Sequence, residues 1–388
     1  MPRTLAEHLR RVPDPRLDRT KKHALGDVLT AATCAMLCGY NSYYDMEDFC
    51  KDYLDWLRQW LELAGGVPSH DTFRRVLGLV DPRHFGSVFR LWTEAVWRRV
   101  EEDQVAVDGK ALRGSADGMG SVQYIVNAWS ARRHLVLGQV KVQDKGNEIT
   151  AIPRLLPTLD VRGALVSIDA IGCQTGIAGQ IRAQGGHYLL ALKDNNKRVR
   201  EEMESFLLDA IAHGEAHVER FETAGKEHGR LERRVCHVSR RLDWFADRSK
   251  WKDLSCVVMV EATRTAKGVA GRPERRLYLC SKALTAQEAL EATRAHWGVE
   301  SMHWVLDMVL EEDRSRARDK TAAKNLALIR RMVYNMLRAE RDAQATGNKV
   351  PRLKQLMRRA ACREEVRTRM LKVFGELQTA DARAPQGK

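Results

Sequence analysis

Apolar positions in the first hundred residues recur at spacings of three and four. LGDVLTAATCAMLCGY and MEDFCKDYLDWLRQWLELA both carry this period, and the β-branched alternation of strands is missing. Residues 1–100 therefore read as an all-helical N-terminal domain. After its second long helix the break GGVPSH leads into DTFRRVLGLV, where Ser69 or Asp71 caps a new helix carrying Arg74 and Arg75. That order is either a helix-turn-helix offering Arg74 and Arg75 to DNA or an ordinary helical corner with solvated arginines.

From residue 104 the pattern changes. QVAVD (104–108), VQYIVNAWS (122–130) and HLVLGQVKV (134–142) are short, apolar and rich in β-branched residues. NEITAIPRLLPTL has helical spacing, ALVSID (164–169) reads as a buried strand, IGCQTGIAGQIRAQ as a helix, HYLLALK (187–193) as a strand and NKRVREEMESFLLDAIAH as a long helix. A doubly wound nucleotide fold begins βαβ. The order here, β-β-β-α-β-α-β-α, is instead that of an α/β ribonuclease H-like domain, a mixed sheet flanked by helices. Alternating stretches between about residues 215 and 283 predict an inserted antiparallel β segment. Helix returns in TAQEALEATRAHWGVESMHWVLDMVLEE and AAKNLALIRRMVYNMLRAER. The catalytic domain then spans 101–340, and 341–388 reads as a basic, less regular tail ending in a disordered ADARAPQGK.

Composition narrows the class. At 388 residues the chain exceeds one typical domain, and its balance of charged and apolar residues is that of a folded soluble protein. No apolar run reaches the roughly 18 residues that cross a bilayer, and MPRTLAEHLRRVPDPR lacks the apolar core of a secretory signal. Eight cysteines without paired spacing, most in apolar runs, are expected to be buried thiols of a reduced cytoplasm. The net charge of +14 calls for a polyanionic partner. It is unevenly placed: residues 101–313 hold 30 bases against 31 acids, whereas 314–388 hold 20 against 7. A tail lying along DNA phosphates would engage Arg330, Arg331, Arg358 and Arg359, unless Arg330 and Arg331 face the core beside the neighbouring helix.

Asp108 ends the first predicted strand and Asp169 the fourth. In this topology those strands can be neighbours, and two adjacent carboxylates raise each other's pKa unless a cation lies between them. Hard oxygen ligands select Mg²⁺, with Mn²⁺ able to substitute. A third acid is offered by AHWGVESMHWVLD. On one continuous helix, Arg294, His296, Trp297, Glu300, His303, Trp304 and Asp307 fall near one face. Zinc on a single helix prefers a His-x3-His pair, and seven residues separate His296 from His303. Glu311, Glu312 and Asp313 compete with Glu300 for the role, and Glu300 has a bland alternative as a salt-bridge partner of Arg294. Three carboxylates can hold two ions about 4 Å apart for in-line phosphodiester chemistry, with water or a DNA 3′-hydroxyl as the attacking group.

VAVDGKALRGS, KGNEITAIPRLL, VSIDAIGCQ, HYLLALKDNN, AHWGVESMHWVLDMVLEED and AAKNLALIRRMVYNML, in this order, resemble the H-repeat-associated family of insertion-sequence DDE transposases. RVPDPR, LCGYNSYYDMEDF and PSHDTFRRVL resemble that family's helical associated domain. The resemblance implies cleavage at terminal inverted repeats and joining of 3′ ends to target DNA. It places the three catalytic, metal-binding acids at Asp108, Asp169 and Glu300. The wider group's Tyr-Arg-Glu-Lys signature keeps only its Glu, because Thr293, His296 and Asp307 occupy the other positions.

Lys110, Arg113, Lys193 and Arg294 are candidate phosphate donors from their nearness to the acids or strand ends; the bland alternative is charge neutralisation. Trp297 and Trp304 either pack against the sheet or stack on a displaced base. The partner is double-stranded DNA, both element ends and target, with no membrane involved. Coordinated cutting of two ends implies at least a dimer. A decayed DNA-binding remnant and a nuclease without joining activity are the competing readings.

Overall fold

The computed structural model describes residues 4–97, 103–115, 122–142, 148–227, 230–266, 269–345 and 350–380. Six helices come first: α1 (Leu5–Leu9), α2 (Leu25–Leu37), α3 (Tyr43–Asp52), α4 (Leu54–Leu57), α5 (His70–Leu79) and α6 (Pro82–Trp97). Every residue of α2 is buried, which its apolar circumference requires, and the other helices pack around it. The α3 and α5 termini are fixed by Ser42 and Ser69, whose hydroxyls accept from Asp45 and Thr72 N–H. Between α4 and α5 the chain runs through residues 58–69. This is longer than the three- or four-residue turn of a helix-turn-helix.

The sheet follows: β1 (Gln104–Leu112), β2 (Gln123–Ser130), β3 (Val136–Val142), α7 (Glu148–Leu155), β4 (Leu165–Ile168), α8 (Thr175–Ala183), β5 (His187–Leu192) and α9 (Lys197–Ala212). Next come β6 (Val218–Glu227), β7 (Arg230–Ser239), β8 (Cys256–Ala266), β9 (Val269–Ala270) and β10 (Glu274–Cys280). The strand order is β3-β2-β1-β4-β5-β10-β8-β7-β6, with β9 paired to β8. Its first half, antiparallel except for the parallel pairs β1–β4 and β4–β5, is ribonuclease H-like. The insertion is not a detached lobe. Through β10, antiparallel to β5, it extends the central sheet and covers what would be an open edge.

Helices α10 (Ala286–His296), α11 (Gly298–Met308), α12 (Lys320–Ala343), α13 (Leu353–Cys362) and α14 (Glu364–Ala380) complete the described chain. The stretch expected as one helix through Glu300 is two, α10 and α11, divided at Trp297. The 24-residue α12 is the axle of the molecule. Its Asn325 amide donates to the Leu77 and Val80 carbonyls of the N-terminal helices, and Asn335 pairs with both the N–H and C=O of Val136 on β3.

The C-terminal segment is a further departure from expectation. Leu356, Met357, Val366, Met370 and Leu371 join the core built by α1–α6 and α12. Tyr53 and Trp56 donate to Ala361 O and Thr368 Oγ1, and the Arg367 guanidinium lies over both rings. Residues 353–371 thus finish the N-terminal helical body instead of trailing from the sheet domain. Residues 381–388, most of the stretch expected to be disordered, lie outside the described residues. Seven of the eight cysteines are buried and Cys362 is exposed. No described helix is long and apolar enough to cross a membrane.

Candidate active site

The register of β1 against β4 pairs Val107 with Ile168, so Asp108 and Asp169, one step further along parallel strands, stand side by side. The Asp169 carboxylate accepts from Ile171 N–H and caps the short turn after β4. Together with Glu300 on α11 they line one cavity of about 260 Å³, whose other walls include Lys193 at the end of β5, Arg276 on β10, and His296 and Trp297. Because β10 is antiparallel to β5 with Leu277 opposite Leu192, Arg276 falls beside Lys193.

The electrostatics centre on Asp108. Burial, reinforced by Asp169 and further by Glu148 and Glu300, pushes its carboxyl up to about 7. Glu300 is also raised by burial, against the opposing Arg276 charge. Glu148, at the start of α7, was not singled out from sequence although it lies within KGNEITAIPRLL. A Cβ placed on Gly109 would meet its carboxylate, so the missing side chain at residue 109 is what admits this fourth acid. His296 hangs from Ser167 Oγ (Nδ1 at 3.0 Å), and burial lowers its pKa against the pull of Asp169.

Four carboxylates, the half-buried neighbours Asp108 and Asp169 with Glu148 and Glu300 beside them, are a suitable donor set for a hard divalent cation. As the side chains stand, no three His, Cys, Asp or Glu groups among the described residues close on a common point.

Behind Asp108 lies a polar layer. Alternate residues Asp108 and Lys110 of β1 face α11 and meet His303 and Asp307, because two residues of strand and four of helix advance about 6 Å alike. His303 Nδ1 is 3.6 Å from Asp108 Oδ2, and Lys110 Nζ is 2.7 Å from Asp307 and 3.4 Å from both Glu312 and Asp313. Burial, with Arg331 and Lys110 adding, depresses His303 to about 3.

The other expected contacts divide. Arg74 and Arg75 are exposed on α5, Arg74 paired with Asp71. Arg113 is 82% exposed, Lys193 is exposed at the cavity, and Arg294 is exposed in an adjoining pocket with Arg276, Trp297 and Glu300. Three expected DNA contacts are corrected. Lys110 is buried in the acidic cluster just described. Arg330 is buried and donates to Leu310 O. Arg331, with no exposed surface, is paired with Glu312 and hydrogen-bonded to Asn127 and Ala327 O. Trp297 and Trp304 are 40% and 60% exposed, so neither is packed away, and Arg276 lies 4.2 Å over the Trp297 ring.

The family described as "DDE_Tnp_1-associated" matches residues 6–93, and "Transposase DDE domain" matches residues 101–336. "Putative transposase YncI" of Escherichia coli O157:H7 is 36% identical over 351 residues, covering 87% of this chain and 88% of the relative. "H repeat-associated putative transposase YhhI" of Escherichia coli K12 is 36% identical over 368 residues, covering 92% and 94%. An uncharacterised protein of the dhlA 3′ region of Xanthobacter autotrophicus is 41% identical over 276 residues, 70% of this chain and 92% of that one. With both domains matched in order and relatives aligned nearly end to end, the chain belongs to the DDE transposase family, in the branch of the H repeat-associated putative transposases.

Proposed function

We propose that the chain is an active, Mg²⁺-dependent transposase that cleaves DNA at the terminal inverted repeats of its insertion sequence and joins the freed 3′ ends to target DNA. The observation that carries this reading is the half-buried Asp108 carboxylate, which shares one cavity with Asp169 and Glu300, bordered by Lys193 and Arg276, and is crowded by Glu148 as well. Asp108, Asp169 and Glu300 would hold the ions, and bound Mg²⁺ supplies activation of the attacking oxygen and charge stabilisation at the leaving one. Lys193 and Arg276 orient the scissile phosphate and offset its charge. The protein works in the cytoplasm on nucleoid DNA, as at least a dimer, since two ends must be cut together. Purified protein is expected to cut labelled terminal-repeat DNA in Mg²⁺ or Mn²⁺ and to yield joined products. Binding without cleavage would favour a decayed remnant, and cleavage without joining a simple nuclease.

The DNA-facing charge of the basic C-terminal fifth moves from α12 to the segment before it. Arg314, which ends a short 3-10 turn and pairs with Glu311 at 2.8 Å, and Arg316 and Arg318 in the irregular chain after it are all exposed, while Ser315 and Ala317 between them are half-buried. A Cβ on Gly114 would clash with the Ser315 carbonyl, which shows how closely the turn bearing Arg113 abuts this ridge. Replacing Arg314, Arg316 and Arg318 by Ala is expected to weaken binding across sequences. The salt slope should flatten by about 0.9 for each phosphate that is no longer neutralised. Arg331→Ala should instead destabilise the fold by about 3 kcal/mol, by leaving the buried Glu312 carboxylate to Lys110 alone and Asn127 Oδ1 without its donor. Filter binding at several salt concentrations and thermal melting separate the two, and an unchanged slope in the triple variant would remove the ridge from the interface.

A further inference from the structure

Asp108 and Asn127 are cross-strand partners on β1 and β2, and His303 of α11 lies against both. On the far side Arg331 Nε donates to Asn127 Oδ1 at 2.9 Å. An arginine side chain has only donors and does not deprotonate, so this bond fixes which end of the Asn127 amide faces it. Glu312 and Ala327 O hold the guanidinium in place. The Asn127 NH₂ group must then face His303, where its nitrogen is 3.4 Å from Nε2. An amide NH₂ donates and cannot accept, so Nε2 must present its lone pair. The imidazole proton is left on Nδ1, the atom facing Asp108 Oδ2 at 3.6 Å. A small turn of the carboxylate closes that gap to a hydrogen bond, as catalytic contacts commonly do once the reacting complex forms.

We infer that Arg331, Asn127 and His303 form a positioning relay that fixes the His303 Nδ1–H tautomer and aims it at Asp108, leaving the carboxylate's other oxygen for the cavity. None of the three residues lines the cavity. The relay acts through Asp108, as outer-shell partners act on metal-binding groups. The inference deepens the transposase reading and rests on it for its catalytic consequence, but the tautomer itself is a property of the free protein.

The test therefore starts without DNA or metal. Long-range ¹H–¹⁵N spectra of histidine-labelled protein, with the His303 signals assigned by their loss in His303→Asn, should show the Nδ1–H form. Asn127→Asp keeps an acceptor for Arg331 but sets a second acceptor against Nε2. The proton should move to Nε2, and cleavage should fall about 10- to 100-fold with DNA affinity unchanged. The amide of Asn reproduces the place of Nδ1 and that of Gln the place of Nε2. His303→Asn should therefore cleave at least about ten times faster than His303→Gln at equal melting temperature, a difference that poorer packing alone would not produce. An Nε2–H tautomer in the native protein, an unmoved tautomer in Asn127→Asp, or equal rates for the Asn and Gln variants would each overturn the relay. Native protein that shows the Nδ1–H form and its switch but cuts no DNA would leave the relay standing and refute the transposase reading.

Discussion

Asp108→Asn is expected to abolish strand cleavage and, at the same time, to make the metal-free protein more stable at pH 8. The two effects share one cause. Burial and the neighbouring carboxylates raise the Asp108 carboxyl from an ordinary 3.8 to about 7, so the native state holds this proton more tightly than the unfolded chain does. A group raised in this way costs stability as pH climbs from about 4 through 7, and the full cost is felt above that window. Three units set an upper bound of about 4 kcal/mol, and relaxation of the site should leave roughly half. Asparagine keeps the shape and removes the charge.

In chelator at pH 8 the variant should melt above the native protein, and at pH 4 the difference should vanish. Saturating Mg²⁺ should raise the native melting temperature, because an ion held by Asp108 binds only the folded state, and should raise the variant's much less. Cleavage of terminal-repeat DNA should fall by about 10³-fold or more, equivalent to about 4 kcal/mol of transition-state stabilisation. An Asp108→Asn protein that melts no higher than native at pH 8, or that gains as much from Mg²⁺, would remove Asp108 from the ion site. Glu300→Gln should stabilise less, since Arg276 already offsets the burial of that carboxylate.

What the sequence disclosed and what it concealed follow a physical division. Strand order and the adjacency of Asp108 and Asp169 depend on period-two runs and on the few topologies that can connect them, and both are written locally. Glu300 was reachable because a motif carries it. Arg330 and Arg331 misled because two consecutive arginines in a basic stretch look like solvent-facing charge. The burial of Arg331 depends on Glu312 and Asn127, the first beyond the end of α11 and the second about 200 positions away on β2, and that of Arg330 on the Leu310 carbonyl. Helical periodicity contained the warning, since the apolar stripe of α12 includes their neighbours Ile329, Met332 and Val333. No local pattern names the partner that neutralises a buried cation. The same holds for Lys110, whose acids come from residues 307–313, and for the C-terminal helices, whose partners are Tyr53 and Trp56 near the other end of the chain.

Gly298→Ala should cost about 100-fold in cleavage with no charge altered. Residue 298 opens α11 immediately after the break at Trp297, and a Cβ there would overlap Cη2 of Trp129 and lie 2.7 Å from its Cζ3. That ring cannot retreat. Trp129 is 3% exposed, and its indole N–H reaches the Tyr334 hydroxyl of α12 at 3.3 Å. The helix start must move instead, and Glu300, two residues on, moves with it away from Asp108 and Asp169. A shift of about 1 Å in a reacting group is enough for a loss of this size, and overpacking should lower stability by about 1–3 kcal/mol. Adding Trp129→Phe removes the atoms that Cβ would strike, so the double variant should regain at least tenfold in cleavage although Phe forgoes the bond to Tyr334. Full activity in Gly298→Ala, or a loss that Trp129→Phe does not relieve, would mean that close packing of Gly298 on the sheet does not set the position of Glu300. Recovery would show that the absence of one methyl group at the first residue of α11 brings the third acid to the site.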